Sequence, residues 1–180
     1  MHKRTEAVVL LAEGFEEIEA ITIIDTLRRA QVETQVAAIG SSLEVHGGHG
    51  ITVKADCLLT GLRGSKLRLV VLPGGSTGVK NIAASAEAKH LTATATEVAA
   101  ICAAPKALVS ARLVEGRAIT AYPGVLDDQE GIRLSSAAVV RDGTFITSRG
   151  PGTALDFALT LIETLCGRAS RDNVEAALQR

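Results

Sequence analysis

Cys102 closes the apolar run Val98-Ala99-Ala100-Ile101, and Pro105 follows in what reads as the first turn of a helix. Proline suits that place because the first N–H groups of a helix have no partner within it. A buried strand that bends abruptly into a helix leaves one residue exposed at the bend, the geometry of a nucleophile elbow. A cysteine there turns its sulfur toward unpaired N–H groups and the positive end of the helix dipole. That setting favours the thiolate and predicts a pKa below the ~8.5 of a free cysteine. The plain alternative is a small, buried, unreactive thiol.

The elements that must position this thiol follow from the pattern of the chain. Ala7–Ala12 is a continuous apolar run, as in a strand buried on both faces of a parallel sheet. After the turn Glu13-Gly14-Phe15, a helix is expected over Glu16–Ala30, with Ile18, Ile21, Ile24 and Leu27 as its apolar face. Glu16, Glu17 and Glu19 crowd its first turn and Arg28 and Arg29 its last, as the helix dipole prefers. For Glu16 and Glu17 that electrostatic role is a sufficient explanation. Further strands are expected at Glu33–Ile39, Leu67–Leu72 and Arg117–Ala121, and a ribbon over Ser41–Asp56 bent at Gly47–Gly50. Asp142-Gly143 marks a hairpin between Ala137–Arg141 and Thr144–Ser148. Helices are expected at Ala83–Thr96, at Ala154–Cys166 and, capped by Ser170, at Arg171–Leu178.

Strands alternating with helices predict an α/β sandwich around a mostly parallel sheet, in which ligands sit beyond the carboxyl ends of the strands. Four features fall at those ends: Glu19, the glycine-rich loop at Gly74-Gly75, Cys102 and Tyr122. A thiol, a carboxylate and backbone N–H donors together are what covalent chemistry on a carbonyl requires. The loop Pro73–Gly78 presents N–H groups but lacks the Lys-Ser/Thr ending of a nucleotide-binding P-loop. His46 and His49 flank a glycine pair with no carboxylate or thiol in the bend itself, so no metal is expected there.

Composition narrows the class further. The 180 residues suffice for one domain over 1–180 with a substantial core, 47% hydrophobic and mostly aliphatic. A net charge of −1 with scattered basic residues offers no stripe for nucleic acid. Apolar runs are strand-sized, so no membrane partner is expected, and Met1–Glu6 enter a strand without a signal-peptide core. The three cysteines, Cys57, Cys102 and Cys166, lack CxxC spacing and fit free thiols in a reducing cytoplasm.

AEGFEEIEA at 12–20, VVLPGGSTG at 70–78, AAICAAP at 99–105 and TSRGPGTALDFAL at 147–159 together resemble the ThiJ/PfpI superfamily. The resemblance is strongest to its Parkinsonism-associated deglycase and YajL-like branch and runs through nearly the whole chain. It implies a flavodoxin-like three-layer sandwich, a homodimer, no cofactor and a reactive cysteine at the elbow. Carried onto this sequence, it makes Cys102 the nucleophile and oxidation-sensitive thiol, and Glu19 the carboxylate bonded to it. The N–H groups of Gly75 and Ala103 would form an anion pocket, with Gly74 and Tyr122 as its wall. Many members carry histidine where this chain has Tyr122; a phenol is the weaker proton shuttle at neutral pH. Ala103, in place of the histidine of the protease-like branch, argues against a peptidase. The connection from Ser85 to Cys102 is shorter than the family pattern, which would allow a shifted elbow.

Two functions follow as expectations. One is a glyoxalase or deglycase acting on small carbonyls such as methylglyoxal and on glycated proteins. The other is a redox-responsive stress protein or chaperone in which oxidation of Cys102 is the signal. A stable α/β dimer with an inert thiol is the remaining alternative.

Overall fold

The computed structural model describes residues 6–180, so the leader-free reading of Met1–Thr5 lies outside the described residues. Its core is a seven-stranded sheet. The strands are β1 (Ala7–Leu11), β2 (Thr34–Ala38), β5 (Cys57–Leu58), β6 (Leu69–Leu72), β7 (Glu97–Ile101), β10 (Val139–Asp142) and β11 (Phe145–Ser148). Their order is β10-β11-β7-β6-β1-β2-β5, and every neighbour runs parallel except β10 against β11. Two short pairs lie outside it: the hairpin β3 (Glu44–His46) with β4 (Thr52–Lys54), and β8 (Ala118–Ile119) with β9 (Arg133–Leu134). The strand expected at Arg117–Ala121 therefore exists in reduced form, unpaired with the main sheet but tied to its edge by the Ala118 and Thr120 N–H groups, which donate to the Asp142 and Thr147 side chains.

Alternating side chains of β1 feed two separate cores. Ala7, Val9 and Leu11 pack under α1 (Glu17–Arg29), α5 (Ala154–Cys166) and α6 (Arg168–Ala177). Val8 and Leu10 pack under α2 (Ser76–Ala84), α3 (Ala86–Thr94) and α4 (Pro105–Ser110). The period of two along a strand thus becomes a three-layer sandwich, as expected.

Three helical expectations are corrected. The single helix over Ala83–Thr96 is two helices that part at Ser85, whose hydroxyl accepts from the Ala88 N–H (3.1 Å) and caps α3. The glycine-rich loop is shorter than expected because α2 begins at Ser76. Gly78 sits inside that helix, where an added Cβ would lie 3.0 Å from the Phe15 backbone. The last helix starts at Arg168, which places Ser170 within its first turn. In α1 the face turned to the core is Ala20, Ile23, Ile24 and Leu27. Ile18 and Ile21 point outward, 59% and 43% exposed. Both Ile18/Ile21 and Ile23/Ile24 satisfy helical spacing locally, so the tilt of α1 against α5 selects between them.

Candidate active site

β1, β6 and β7 are adjacent, and the chain leaves β1 toward β2 on one side and β6 on the other, so their carboxyl ends form a switch-point crevice. Cys102 directly follows β7 at φ 63°, a left-handed conformation that a non-glycine residue holds only under constraint. Three segments supply that constraint. The Cys102 N–H donates to the Ser148 carbonyl of β11 (2.9 Å), and the Cys102 carbonyl accepts from the Tyr122 N–H (2.9 Å). The turn Cys102–Ala104 then delivers the chain to Pro105.

Glu19, in the first turn of α1, is fully buried and hydrogen-bonded to Cys102. Its Oε2 accepts from the Gly74 N–H (2.7 Å), while Oε1 is buried and takes no bond from an N–H among the described residues. Gly74 has to be glycine: an added Cβ would stand 2.5 Å from Glu19 Oε2 and 2.7 Å from Cys102 Cβ. Gly75, at φ 90°, would press a Cβ into the Gly14 carbonyl. The N–H groups of Gly75 and Ala103 both face the Cys102 sulfur. Glu19, Gly74, Gly75 and Ala103, the four residues expected around the Cys102 thiol at this point, thus meet in one place.

The protonation of the pair departs from expectation. Burial pushes Glu19 up to about 7, against the hydrogen bonds from Gly74 and Cys102 that favour its ionised form. Burial, followed by the charge of Glu19, pushes the Cys102 thiol up to about 12, although the Gly75 and Ala103 N–H groups pull the other way. The thiol is therefore held above the free-cysteine value, not below it. The physical reason is desolvation beside a carboxylate, a long-range arrangement that outweighs the few N–H dipoles at the elbow. Below about pH 7 both groups carry a proton, and above it Glu19 ionises first while the thiol keeps its proton.

Tyr122 is 52% exposed, and its ring lies against Gly150, where an added Cβ would come within 3.2 Å of it. That same Cβ would stand 3.9 Å from the sulfur. Tyr122 and Gly150 line an open cleft of about 350 Å³ with Pro123 and Arg149. Tyr122 is a wall of the approach to the thiol through Gly150 rather than a cover over it. Gly150 was not expected as a site residue. Its position is set by the Thr153 hydroxyl, which accepts from the Gly150 N–H (3.1 Å) and pairs with the Ser148 hydroxyl (2.7 Å). The Gly-Pro-Gly run at 150–152 carried the signal.

Glu16 and Glu17 do more than complement the helix dipole. Glu16 caps α1 by accepting from the Glu19 N–H (2.7 Å), which fixes the backbone of the catalytic candidate. Glu17 is buried and reaches the β3–β4 bend, accepting from the His49 N–H (2.6 Å) and pairing with His49 Nδ1 (2.8 Å). An added Cβ at Gly47 would collide with that carboxyl. Burial raises Glu17, but the His49 ring and the His49 and Ile51 N–H groups outweigh it and hold the carboxyl below its ordinary value. Ligating atoms of Glu16, Glu17 and His49 lie within 4.8 Å of one another, yet the carboxylates are already committed to these bonds. His46, by contrast, turns to Glu13 (3.3 Å).

Comparison with known proteins gives the family and the fold. Residues 5–164 match the model of the DJ-1/PfpI family. The chain is 39% identical over 171 residues to Protein DJ-1 homolog B of Arabidopsis thaliana, covering 91% of this chain and 38% of that one. The chain thus spans about two fifths of that relative's length. It is 34% identical over 150 residues to a deglycase of Pyrococcus abyssi, covering 81% of this chain and 90% of the other. The crystal structure of Drosophila melanogaster DJ-1beta superposes with a TM-score of 0.93 at 34% identity, covering 98% of each chain. Among the described residues no helix is long and apolar enough to cross a membrane. With a family match over residues 5–164 and relatives of this identity and coverage, the chain belongs to the DJ-1/PfpI family.

Proposed function

We propose that this chain is a cysteine-dependent enzyme of glyoxalase and deglycase type, acting on small reactive carbonyls such as methylglyoxal and on their protein adducts. The observation that carries the reading is the pairing of the buried Glu19 with the half-buried Cys102, the carboxyl held near neutrality and two N–H groups aimed at the sulfur. The kinship with a protein named deglycase supports it.

The Cys102 sulfur attacks the aldehyde carbon, forming a C–S bond, and the carbonyl oxygen takes up a proton to give a hemithioacetal. Glu19, as carboxylate, removes the proton from that carbon and returns it to the neighbouring one through an enediol. The product is a lactoyl thioester on Cys102. Water cleaves the C–S bond, releasing lactate and restoring the thiol. Overall, methylglyoxal and water become lactate, with no external oxidant or reductant. Burial of Glu19 suits this work, because a carboxyl titrating near pH 7 both accepts and donates a proton under ordinary conditions.

Lactate production by the wild type, and its loss in Cys102→Ser with no thiol contaminant, tests the reading. Equal lactate from both proteins would overturn it.

A second reading draws on the same donors. The N–H groups of Gly75 and Ala103, with a protonated Glu19, surround the sulfur as hydrogen-bond donors suited to the oxygens of a sulfinate. Mild peroxide should then add two oxygens at Cys102 before Cys57 or Cys166, as read by peptide mass.

The proposal includes a homodimer in a reducing cytoplasm. Ile18 and Ile21 on α1, and Ile51 in the bend that bonds Glu17, expose apolar surface that a second copy would cover. The free thiols Cys57, Cys102 and Cys166 suit such a compartment. Sedimentation equilibrium of the wild type against Ile18→Lys tests the dimer; a monomeric wild type would end it.

A further inference from the structure

A groove of about 680 Å³ runs between α2 and α4. One end is formed by Ser76 and Ala103. Ala103 is one of the two residues whose N–H groups face the sulfur, and Ser76 is the chain neighbour of the other, Gly75, so the groove begins beside the anion pocket. Its floor is apolar, from Val79, Ala83 and Ala107, and its only charged lining groups are Lys80 on α2 and Lys106 on α4. Both lysines are exposed, and among the described residues no ion pair involves either. No carboxylate lines the groove.

We propose that this groove docks a short acidic peptide segment, the stretch of a modified protein that flanks the adduct delivered to Cys102. The inference rests on the adduct-removing reading above and adds to it a class of protein substrate. The volume falls in the range that holds a drug-sized ligand, far beyond a three-carbon carbonyl. An apolar floor with one cation on each wall matches a chain that alternates apolar and acidic side chains. A compact inorganic anion would need convergent polar groups, and the floor supplies none. Unpaired lysines at a rim gain interaction with an acidic partner without first breaking an internal pair.

The test is fluorescence anisotropy with a labelled peptide of alternating glutamate and leucine, its glutamine counterpart, and inorganic phosphate as competitor. It is run on the wild type, on Lys80→Gln/Lys106→Gln and on Lys80→Glu/Lys106→Glu. The acidic peptide should bind the wild type and weaken with added salt. Affinity should fall in the neutral variant and further, by roughly tenfold or more in all, in the reversed one. The glutamine peptide should bind poorly throughout. Methylglyoxal turnover, measured in parallel, should be the same in all three proteins, which also shows that the variants are folded. Equal peptide affinity in wild type and both variants, or displacement of the peptide by phosphate at equimolar amounts, would overturn the proposal. Lysine-dependent peptide binding without methylglyoxal turnover would keep the docking groove and remove the carbonyl chemistry.

Discussion

Glu17 and Glu19 stand two residues apart in the first turn of one helix, and their chemistry diverges completely. Glu17 is 4% exposed and Glu19 fully buried, so burial penalises both. Glu17 turns toward the β3–β4 bend, where the His49 ring and N–H groups bond its ionised form, and it titrates below its ordinary range. Glu19 turns toward β6 and β7, where it meets one N–H and a thiol, and it rises to about 7. Burial alone therefore does not make a proton shuttle. The number of donors waiting for the carboxylate decides whether a buried glutamate becomes a clasp or an acid–base group.

The sharpest way to break this contrast is to remove the proton-carrying capacity of Glu19. Glu19→Gln keeps size and can still accept from Gly74. Lactate formation from methylglyoxal should nevertheless fall by roughly 10²–10⁴, the usual contribution of general acid–base catalysis. Glu17→Gln, in the same assay, should stay close to the wild type. Similar losses in both variants would erase the distinction.

Stability against pH gives the next largest effect. A glutamate whose folded pKa is raised favours the fold in its protonated form. That preference is fully present below 4.5 and is lost as pH rises through about 7. Glu19 should therefore weaken the fold progressively over that window. At about pH 8, Glu19→Gln should be more stable than the wild type by up to roughly 3 kcal/mol, with the difference vanishing in acid. Urea denaturation across pH reads it, and parallel profiles for the two proteins would refute the assignment of the shift to Glu19.

The Glu17–His49 pair should respond at both ends of the pH range, with only its Glu17 share opposite in sense to Glu19. Its hydrogen bond raises His49 above 6.5, so that share of stability is full below 6.5 and fades as pH climbs through the raised value. Glu17 lies below 4.5, so its share is present above 4.5 and is lost in acid. The clasp is therefore tightest between 4.5 and 6.5. Gly47→Ala should open it by pushing the Glu17 carboxyl aside. Hydrogen exchange should quicken at the His49 and Ile51 amides and stay unchanged at Gly74. Faster exchange at Gly74 as well would mean that the two glutamates act as one unit.

The smallest effect is expected at Tyr122. Its ring touches Gly150 and stands half in solvent, so Tyr122→His supplies an imidazole at the rim of the approach. A modest rise in turnover, with a new inflection between about pH 6 and 7, is expected. An unchanged pH profile would place position 122 outside the reaction.

Much of the sheet was legible from continuous apolar runs, because a strand buried on both faces needs no alternation to be recognised. β1, β6, β7 and the Asp142-Gly143 hairpin emerge within a residue or two of their ends, and α5 at both. Helix α2 was hidden because Gly75 and Gly78 signal loop locally. Only the close approach of the Phe15 backbone explains why a helix carries glycine there. The strand at Cys57–Leu58 was missed because two residues are too short a pattern, and it forms by pairing with β2.

By itself, then, the sequence determined which residues stand at the ends of strands: Glu19, Gly74, Gly75, Cys102 and Tyr122. That much follows from apolar runs, turn residues and a proline in place, all properties of near neighbours along the chain. Tertiary structure alone decided what those residues are chemically. The elevated thiol, the near-neutral Glu19, the ionised Glu17 on His49 and the outward Ile18 depend on which distant segments remove water and which present donors. Charge states respond to desolvation and to groups a few ångströms away in space, and no local pattern encodes those distances.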